Sequence, residues 1–404
     1  MTAPSQKKPT HKAPKAKKKN LYRKSKYYRQ SKKKIVMAAM GILALIFLML
    51  LIFIVRSCSA GNDKETSGQA SMEDKSVSMI ENDSDGGSVK TALPSEPMSL
   101  TVSVVGDCTL GTDETFDYST SLNAYYDNYG KDYFLENVKS IFQADDLTIA
   151  NMEGTLTEST QREDKTFAFK APPAYAQILS SGSVEAVNMA NNHSHDYGDQ
   201  SFSDTLTALD GDGIVHFGYD ETAVMEIKGI KVGLVGIYEL NDHLERTRQL
   251  KDNIAKVKNE GANIVIVIFH WGNEKETVPD DNQMTLGRLA IDEGADLVCG
   301  HHPHVLQGIE EYKGKNIVYS LGNFCFGGNS GPSDMDTMIF QQTFTVTKDG
   351  VQADNVTEII PCSISSEYGY NDYKPTPAEG EEAERILQKI QERSSWIPSA
   401  SQES

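Results

Sequence analysis

Asp296-Leu297-Val298-Cys299-Gly300-His301-His302-Pro303-His304 is a short apolar run that leads through a glycine into three histidines within four residues. Four or five apolar residues are too few for a helix and suit a buried strand. Working outward, the same form recurs. Leu100–Val105 ends at Gly106-Asp107, Leu147–Ala150 at Asn151, Val184–Met189 at Asn191-Asn192-His193, and Asn263–Phe269 at His270. Lys231–Ile237 and Asn316–Ser320 are two further strand runs, the second leading to Gly322-Asn323. Helical patterns fall between them at about 131–144, 173–181, 200–210, 245–260 and 283–293. Strands alternating with helices predict an α/β architecture with largely parallel pairing. Residues 338–347 and 351–360 predict an antiparallel hairpin around Lys348-Asp349-Gly350. A C-terminal helix is expected at 378–393, with 394–404 frayed.

In an open α/β sheet, ligands bind beyond the carboxyl ends of the strands. Here those ends carry Asp107, Asn151 with Glu153, Asn192 with His193, His270 with Glu274, and His302 with His304. Of nine histidines, six (193, 195, 270, 301, 302, 304) lie at these ends, which chance would not arrange. Each element alone has a plainer explanation. Gly-Asp makes turns, Asn-Met-Glu can cap a helix, and a histidine beside Trp271 can be core. Their recurrence at one end of successive strands favours chemistry. Oxygen donors with imidazoles suit Mn, Fe or Zn better than Ca or Mg. Five segments offer more ligands than one tetrahedral ion needs, which points to two ions sharing a bridging carboxylate.

Charge is sharply divided. Residues 1–34 hold 14 Lys and Arg and no acid, whereas 35–404 carry 25 Lys and Arg against 57 Asp and Glu, a balance of −32. So acidic a body repels phosphate backbones, so no nucleic-acid partner is expected. Ile35–Val55 is an uncharged run of 21 residues, about 31 Å long as a helix, the thickness of a bilayer core. It is longer than the apolar region of a signal peptide. Ser57-Cys58-Ser59-Ala60 weakly resembles a cleavage or lipidation site, and Arg56 just before it argues against a lipobox. The expectation is one uncleaved transmembrane helix. Its basic flank sets a cytoplasmic N-terminus and meets anionic lipid, leaving the C-terminal body outside the cell. Residues 56–97 have no aromatic residue and read as a disordered linker of roughly 35 Å root-mean-square reach. The five cysteines are odd in number and form no CxxC pair, against a disulfide framework.

Six motifs, in order, resemble the CapA family of bacterial capsule synthesis proteins linked to poly-γ-glutamate. They are Gly106-Asp107-Cys108-Thr109-Leu110, Asn151-Met152-Glu153-Gly154, Ala190 through Gly198, His270-Trp271-Gly272-Asn273-Glu274, Gly300 through Val305, and Ser320-Leu321-Gly322-Asn323-Phe324. The resemblance covers about 99–362. It implies a calcineurin-like metallophosphoesterase relationship and a four-layer α/β/β/α sandwich at 98–362, with 363–404 as a C-terminal extension. It also implies roles. Asp107 matches a first-strand metal ligand, Glu153 the bridging acid, Asn192 and His270 second-site ligands, and His302 and His304 the final His-x-His pair. His193 matches the histidine that protonates a leaving group, with Asp196 and Glu274 as further catalytic candidates. Two departures stand out. The family's Asp-x-His reads Asp107-Cys108-Thr109, so one ligand is missing and the first site is expected to be weak. The bridging Asp is the longer Glu153.

The resemblance implies a membrane-anchored accessory of capsule polymer synthesis or export, with membrane-bound synthase subunits as partners and one or two Mn, Fe or Zn ions as cofactor. Two alternatives stand beside it: an extracellular metallophosphoesterase or other metal-dependent hydrolase of envelope substrates, and a non-catalytic scaffold. The substrate would be an anionic polymer or a phosphoester. An acidic domain repels a polyanion at long range, although bound cations offset this locally, and Arg162, Lys165 and Lys170 offer some positive charge.

Overall fold

The computed structural model describes residues 77–79, 94 and 96–398. The basic tail, the apolar run 35–55 and most of the linker lie outside them. Among the described residues no helix is long and apolar enough to cross a membrane.

The fold is mixed α/β with two large sheets and a small one. In the seven-stranded sheet the order is Val77–Met79, Thr222–Ile227, Ile230–Tyr238, Ile264–His270, Leu297–His301, Lys315–Val318, Ile309–Tyr312. The four strands beginning with Ile230–Tyr238 and ending with Lys315–Val318 are mutually parallel. Parallel strands are covered on both faces, which explains why Ile264–His270 (IVIVIFH) is buried at every position. The nine-stranded sheet is centred on Met98–Thr109, parallel to Leu147–Met152 on one side and antiparallel to Asp336–Thr347 on the other. The expected hairpin forms, with Asp336–Thr347 pairing antiparallel to Val356–Ser363.

Three apolar clusters show how the layers cohere. One draws on both sheets at once, with Val102, Val104 and Ile149 of the larger and Leu234, Ile266 and Ile268 of the smaller all fully buried together. A second lies between the larger sheet and the segments carrying Phe142, Ile178 and Leu209. The third joins the smaller sheet to the helices Thr247–Asn259 and Asp281–Glu293, through Ile254, Val257, Leu286 and Ala290. Asp281–Glu293 is well delimited. Asp280 and Gln283 form a reciprocal capping box, and Gly294, at φ 108°, closes the C-terminus in the left-handed region. The C-terminal helix Gly380–Ser395 returns to the core through Ile386 and Ile390.

One expected helix is broken. Residues 131–144 form a single 3-10 turn at Lys131–Tyr133 and a short helix at Lys139–Phe142. The side chains between are tied to a distant segment instead: Tyr133 donates to Asp372 at 3.0 Å and Asn137 to Thr376 at 2.9 Å. Long-range contacts here override local propensity.

Candidate metal centre

The carboxyl ends of strands from both large sheets meet at one place. Asp107 ends the central strand of the larger sheet, and Glu153 follows its parallel neighbour. His270 and His301 end paired strands of the smaller sheet. The chain then turns sharply. His302 has φ 94° and His304 φ 56°, left-handed values that a non-glycine residue adopts only when its surroundings enforce them. Pro303 stands between them, and this crank turns both imidazoles toward the carboxylates.

Asp107, fully buried, accepts from Asn151 Nδ2 at 2.8 Å and from His301 Nδ1 at 3.1 Å, and His304 Nδ1 lies 3.2 Å from its other oxygen. Glu153 is also fully buried. Its Oε2 accepts from Thr109 at 3.3 Å, while Oε1 lies 3.7 Å from His270 Nε2 and 3.9 Å from His304 Nε2. His270 Nε2 is 2.7 Å from Asn192 Oδ1. Ligand atoms of Glu153, His302 and His304 lie within 4.8 Å of one another. Each of the six residues singled out as ligands therefore lies beside at least one other of the six. The three catalytic candidates lie beside them. His193 Nδ1 is 2.7 Å from Asp196 Oδ2, and Glu274 lines a cleft with His193 and His304.

Glu153 Oε1, His301 Nε2 and His302 Nδ1 are buried without a hydrogen-bond partner. Buried polar atoms are nearly always paired, and a carboxylate oxygen with imidazole nitrogens is the donor set of a borderline divalent metal. The residues present fit such an ion.

The electrostatics are correspondingly tense. For Glu153, burial and then repulsion from Asp107 push the carboxyl up to about 8. For Asp107, burial acts upward, but hydrogen bonds from His301 and His304 outweigh it and hold the group well below the usual range. His302 is pushed down to about 3 by burial and by His304. His304 resists burial and rises to about 10 through Glu153 and Asp107. Burial also lowers His193 and His270. A divalent cation favours ionised carboxylates and neutral imidazoles together, relieving this conflict.

Several participants were missing from the sequence-based site. His301 lay within the decisive motif but without a role, and it contacts Asp107 directly. Asn188 and Asn191 donate to Asn151 Oδ1 at 2.9 and 3.4 Å, which orients the Asn151 amide toward Asp107. Asn323 faces His304 Nδ1 at 2.9 Å. Lys165 places its ammonium 2.6 Å from Asp196 and donates to the Asn192 carbonyl at 2.7 Å. Phe169 packs on His193 with ring centroids 4.6 Å apart. The Asn-rich spelling around 188–192, the strand-end position of Asn323 and the charge of Lys165 were the available signals. Phe169 sits in a small sheet of two- and three-residue strands, too short to show a period.

The four cysteines among the described residues are free and buried. Burial pushes Cys108 and Cys362 up to about 12, so neither offers a thiolate.

Residues 101–328 match the family model described as bacterial capsule synthesis protein PGA_cap. A PGA biosynthesis protein CapA of Bacillus subtilis is 30% identical over 248 residues, 56% of this chain and 63% of its own length. A capsule biosynthesis protein CapA of Bacillus anthracis is 27% identical over 303 residues, 67% of this chain and 68% of the relative. A probable polyglutamine synthesis accessory protein of Mycobacterium tuberculosis is 26% identical over 212 residues, 45% and 55% of the two lengths. The chain thus spans a little under two thirds of the first of these relatives.

Proposed function

Since the chain belongs to the bacterial capsule synthesis protein family PGA_cap, we propose that it is a membrane-anchored accessory of capsule polymer synthesis or export, acting outside the cell. The polymer is poly-γ-glutamate or a chemically similar chain, and the partners are membrane-bound synthase or export subunits. Residues 35–55 are the anchor. The two stacked sheets with flanking helices are a metallophosphatase-like sandwich, and its strand ends form a metal-dependent hydrolase-like centre.

The observation that supports the centre is the convergence of Glu153, His302 and His304 around buried atoms that no protein group satisfies. Glu153, His302, His304 and Asp107 would hold one ion of the Mn, Fe or Zn class, and Asn192 with His270 would help hold a second. When bound, such ions supply Lewis-acid activation and charge neutralisation for hydrolysis. The chain's own contribution is a positioned proton site. Asp196 engages Nδ1 of His193, which leaves Nε2 as the free ring nitrogen beside the cleft. That geometry lets Nε2 first take up a proton and then pass it to a leaving group, with Asp196 steadying the imidazolium formed in between.

Metal content by mass spectrometry on the full chain, extracted from membranes, tests the centre. One to two equivalents, clearly reduced by His302→Ala, support it, whereas no uptake by either protein after reconstitution refutes it. Deleting the gene and finding surface polymer unchanged refutes the accessory role. Recovery of the protein in the soluble fraction refutes the anchor. The His193–Asp196 contact also favours a second reading, a working hydrolase of envelope phosphoesters or amides, which fails if metal-loaded protein cleaves no member of such a panel.

A further inference from the structure

We propose that the cleft beside the metal centre binds an uncharged sugar unit of a cell-envelope glycan, rather than a run of free polymer carboxylates. This rests on the reading of the chain as an extracellular polymer-assembly protein, and it names what enters the site.

The cleft has a volume of about 450 Å³ and is bounded on its inner side by His193 and His304. That is room for one or two sugar rings. Aromatic rings line the way in. Phe116 and Phe167 have centroids 5.9 Å apart, and Phe167 and Phe169 lie 6.3 Å apart and nearly parallel, at 6°. Phe169 in turn packs on His193. Across the cleft, Phe326 lies 5.7 Å from His304. Gly328 lets the two walls approach, since a Cβ there would come within 2.6 Å of the Phe326 ring and 3.1 Å of Phe169. Phe167 is 46% exposed although it is a large apolar side chain. An apolar ring face standing at a cleft mouth is explained by a ligand that stacks on it.

The remaining lining decides the class of ligand. Its acidic side chains are Asp117, Glu274 and Asp334, against a single lysine, Lys275. Away from the metal-holding inner wall, a segment of polyglutamate would bring more negative charge into that surface, on a body already strongly acidic. A fixed cation is also poorly served, because two of the acids are already engaged. Asp117 accepts from the backbone and hydroxyl of Ser119, and Asp334 is paired with Lys389 at 3.2 Å. Apart from the imidazoles of His193 and His304 on the inner wall, the other polar side chains are uncharged. Thr112 is among the lining residues, and its buried Oγ1 has no hydrogen-bond partner. Flat apolar faces, scattered hydroxyls and a carboxylate acceptor together match a pyranose, which offers C–H faces and equatorial hydroxyls but no charge.

The test is calorimetric titration of the metal-loaded full chain in detergent with chitotetraose, cellotetraose and tetra-γ-glutamate. Phe167→Ala and Phe167→Trp are run beside wild type. Phe167 is exposed enough to be changed without disturbing the core. At least one neutral oligosaccharide should bind saturably, at least fivefold more weakly to Phe167→Ala and undiminished to Phe167→Trp, with little dependence on salt. Tetra-γ-glutamate should not compete. Tighter binding of tetra-γ-glutamate, equal glycan binding by all three proteins, or no saturable glycan binding each overturns the proposal. Metal content is read on the same samples. Full metal without glycan binding overturns the cleft assignment alone, whereas glycan binding without metal uptake overturns the metal reading alone.

Discussion

His193 and Asp196 are joined through Nδ1 and Oδ2 at 2.7 Å, and the second Asp196 oxygen is held by Lys165 at 2.6 Å. A carboxylate can only accept, so His193 carries its proton on Nδ1. Burial lowers the basicity of this imidazole, and Asp196 only partly restores it. The ring is therefore expected to be neutral at pH 7, as the Nδ1–H tautomer. Long-range proton–nitrogen correlation on histidine-labelled, zinc-loaded protein should show this. Asp196→Asn keeps the shape but offers an ambiguous partner, and the tautomers should then mix. A wild-type spectrum dominated by Nε2–H would contradict the assignment.

Glu153 is placed against its own stability. It is fully buried, one oxygen lacks a partner, and the Asp107 carboxylate repels it. A carboxyl raised to about 8 must take up a proton on folding near pH 7, a cost that a neutral isostere avoids even where it removes function. Glu153→Gln should raise the melting temperature in the presence of chelator, by about 2 °C for roughly 1 kcal/mol in a domain of this size. The same variant should lose most of its metal. A variant that melts lower than wild type in chelator would show that Glu153 serves packing instead.

The strand ends were legible because each functional residue adjoins an apolar run too short to be a helix, as at Val265–Phe269 before His270. The sequence position of a ligand and its spatial position then coincide. The residues that escaped notice are placed by folded loops. Phe167, for one, belongs to a segment whose path is set by Asp113, about 50 residues earlier, which accepts from Arg162 at 2.8 Å and from the Ala168 backbone at 2.7 Å. Nothing in the spelling of 160–168 announces that path. The broken helix at 131–144 has the same cause, with Tyr133 and Asn137 answering to residues 239 positions away.

Asp113 also ties the stability of this loop to pH. Its side chain is buried. Burial acts upward, but hydrogen bonds from Thr115, Ala168 and Arg162 hold it down at about 2, against an ordinary value of 3.8. A depressed carboxyl contributes stability that is fully present above its unfolded value and is lost as pH falls through its folded value. Stability should therefore decline between about pH 4 and pH 2. Asp113→Asn should cost about 1 kcal/mol at pH 7, after allowance for solvent around Arg162, and should flatten that decline. Denaturant midpoints at pH 7 and pH 3 read both effects. An unchanged slope would mean that other carboxylates dominate acid unfolding. Glycan binding at pH 7 should also weaken in this variant, because Asp113 holds the loop that presents Phe167.

Gly300 precedes the histidine run and has no room for a side chain. A Cβ there would overlap the Tyr319 carbonyl oxygen and the Trp271 indole nitrogen, which are themselves hydrogen-bonded at 2.8 Å. Trp271 and Tyr319 are fully buried, so neither can move aside into solvent. Gly300→Ala should therefore push apart the strands that end in His270 and His301. Overpacking of this kind costs about 1–3 kcal/mol. Its distinguishing consequence is coupled loss. Metal content should fall together with stability. A conventional cavity such as Leu286→Ala, in the same cluster but away from the strand ends, should cost about 2–5 kcal/mol while leaving metal binding intact in the fraction that remains folded. If both variants keep their metal, the spacing of these two strand ends does not control the geometry of the centre.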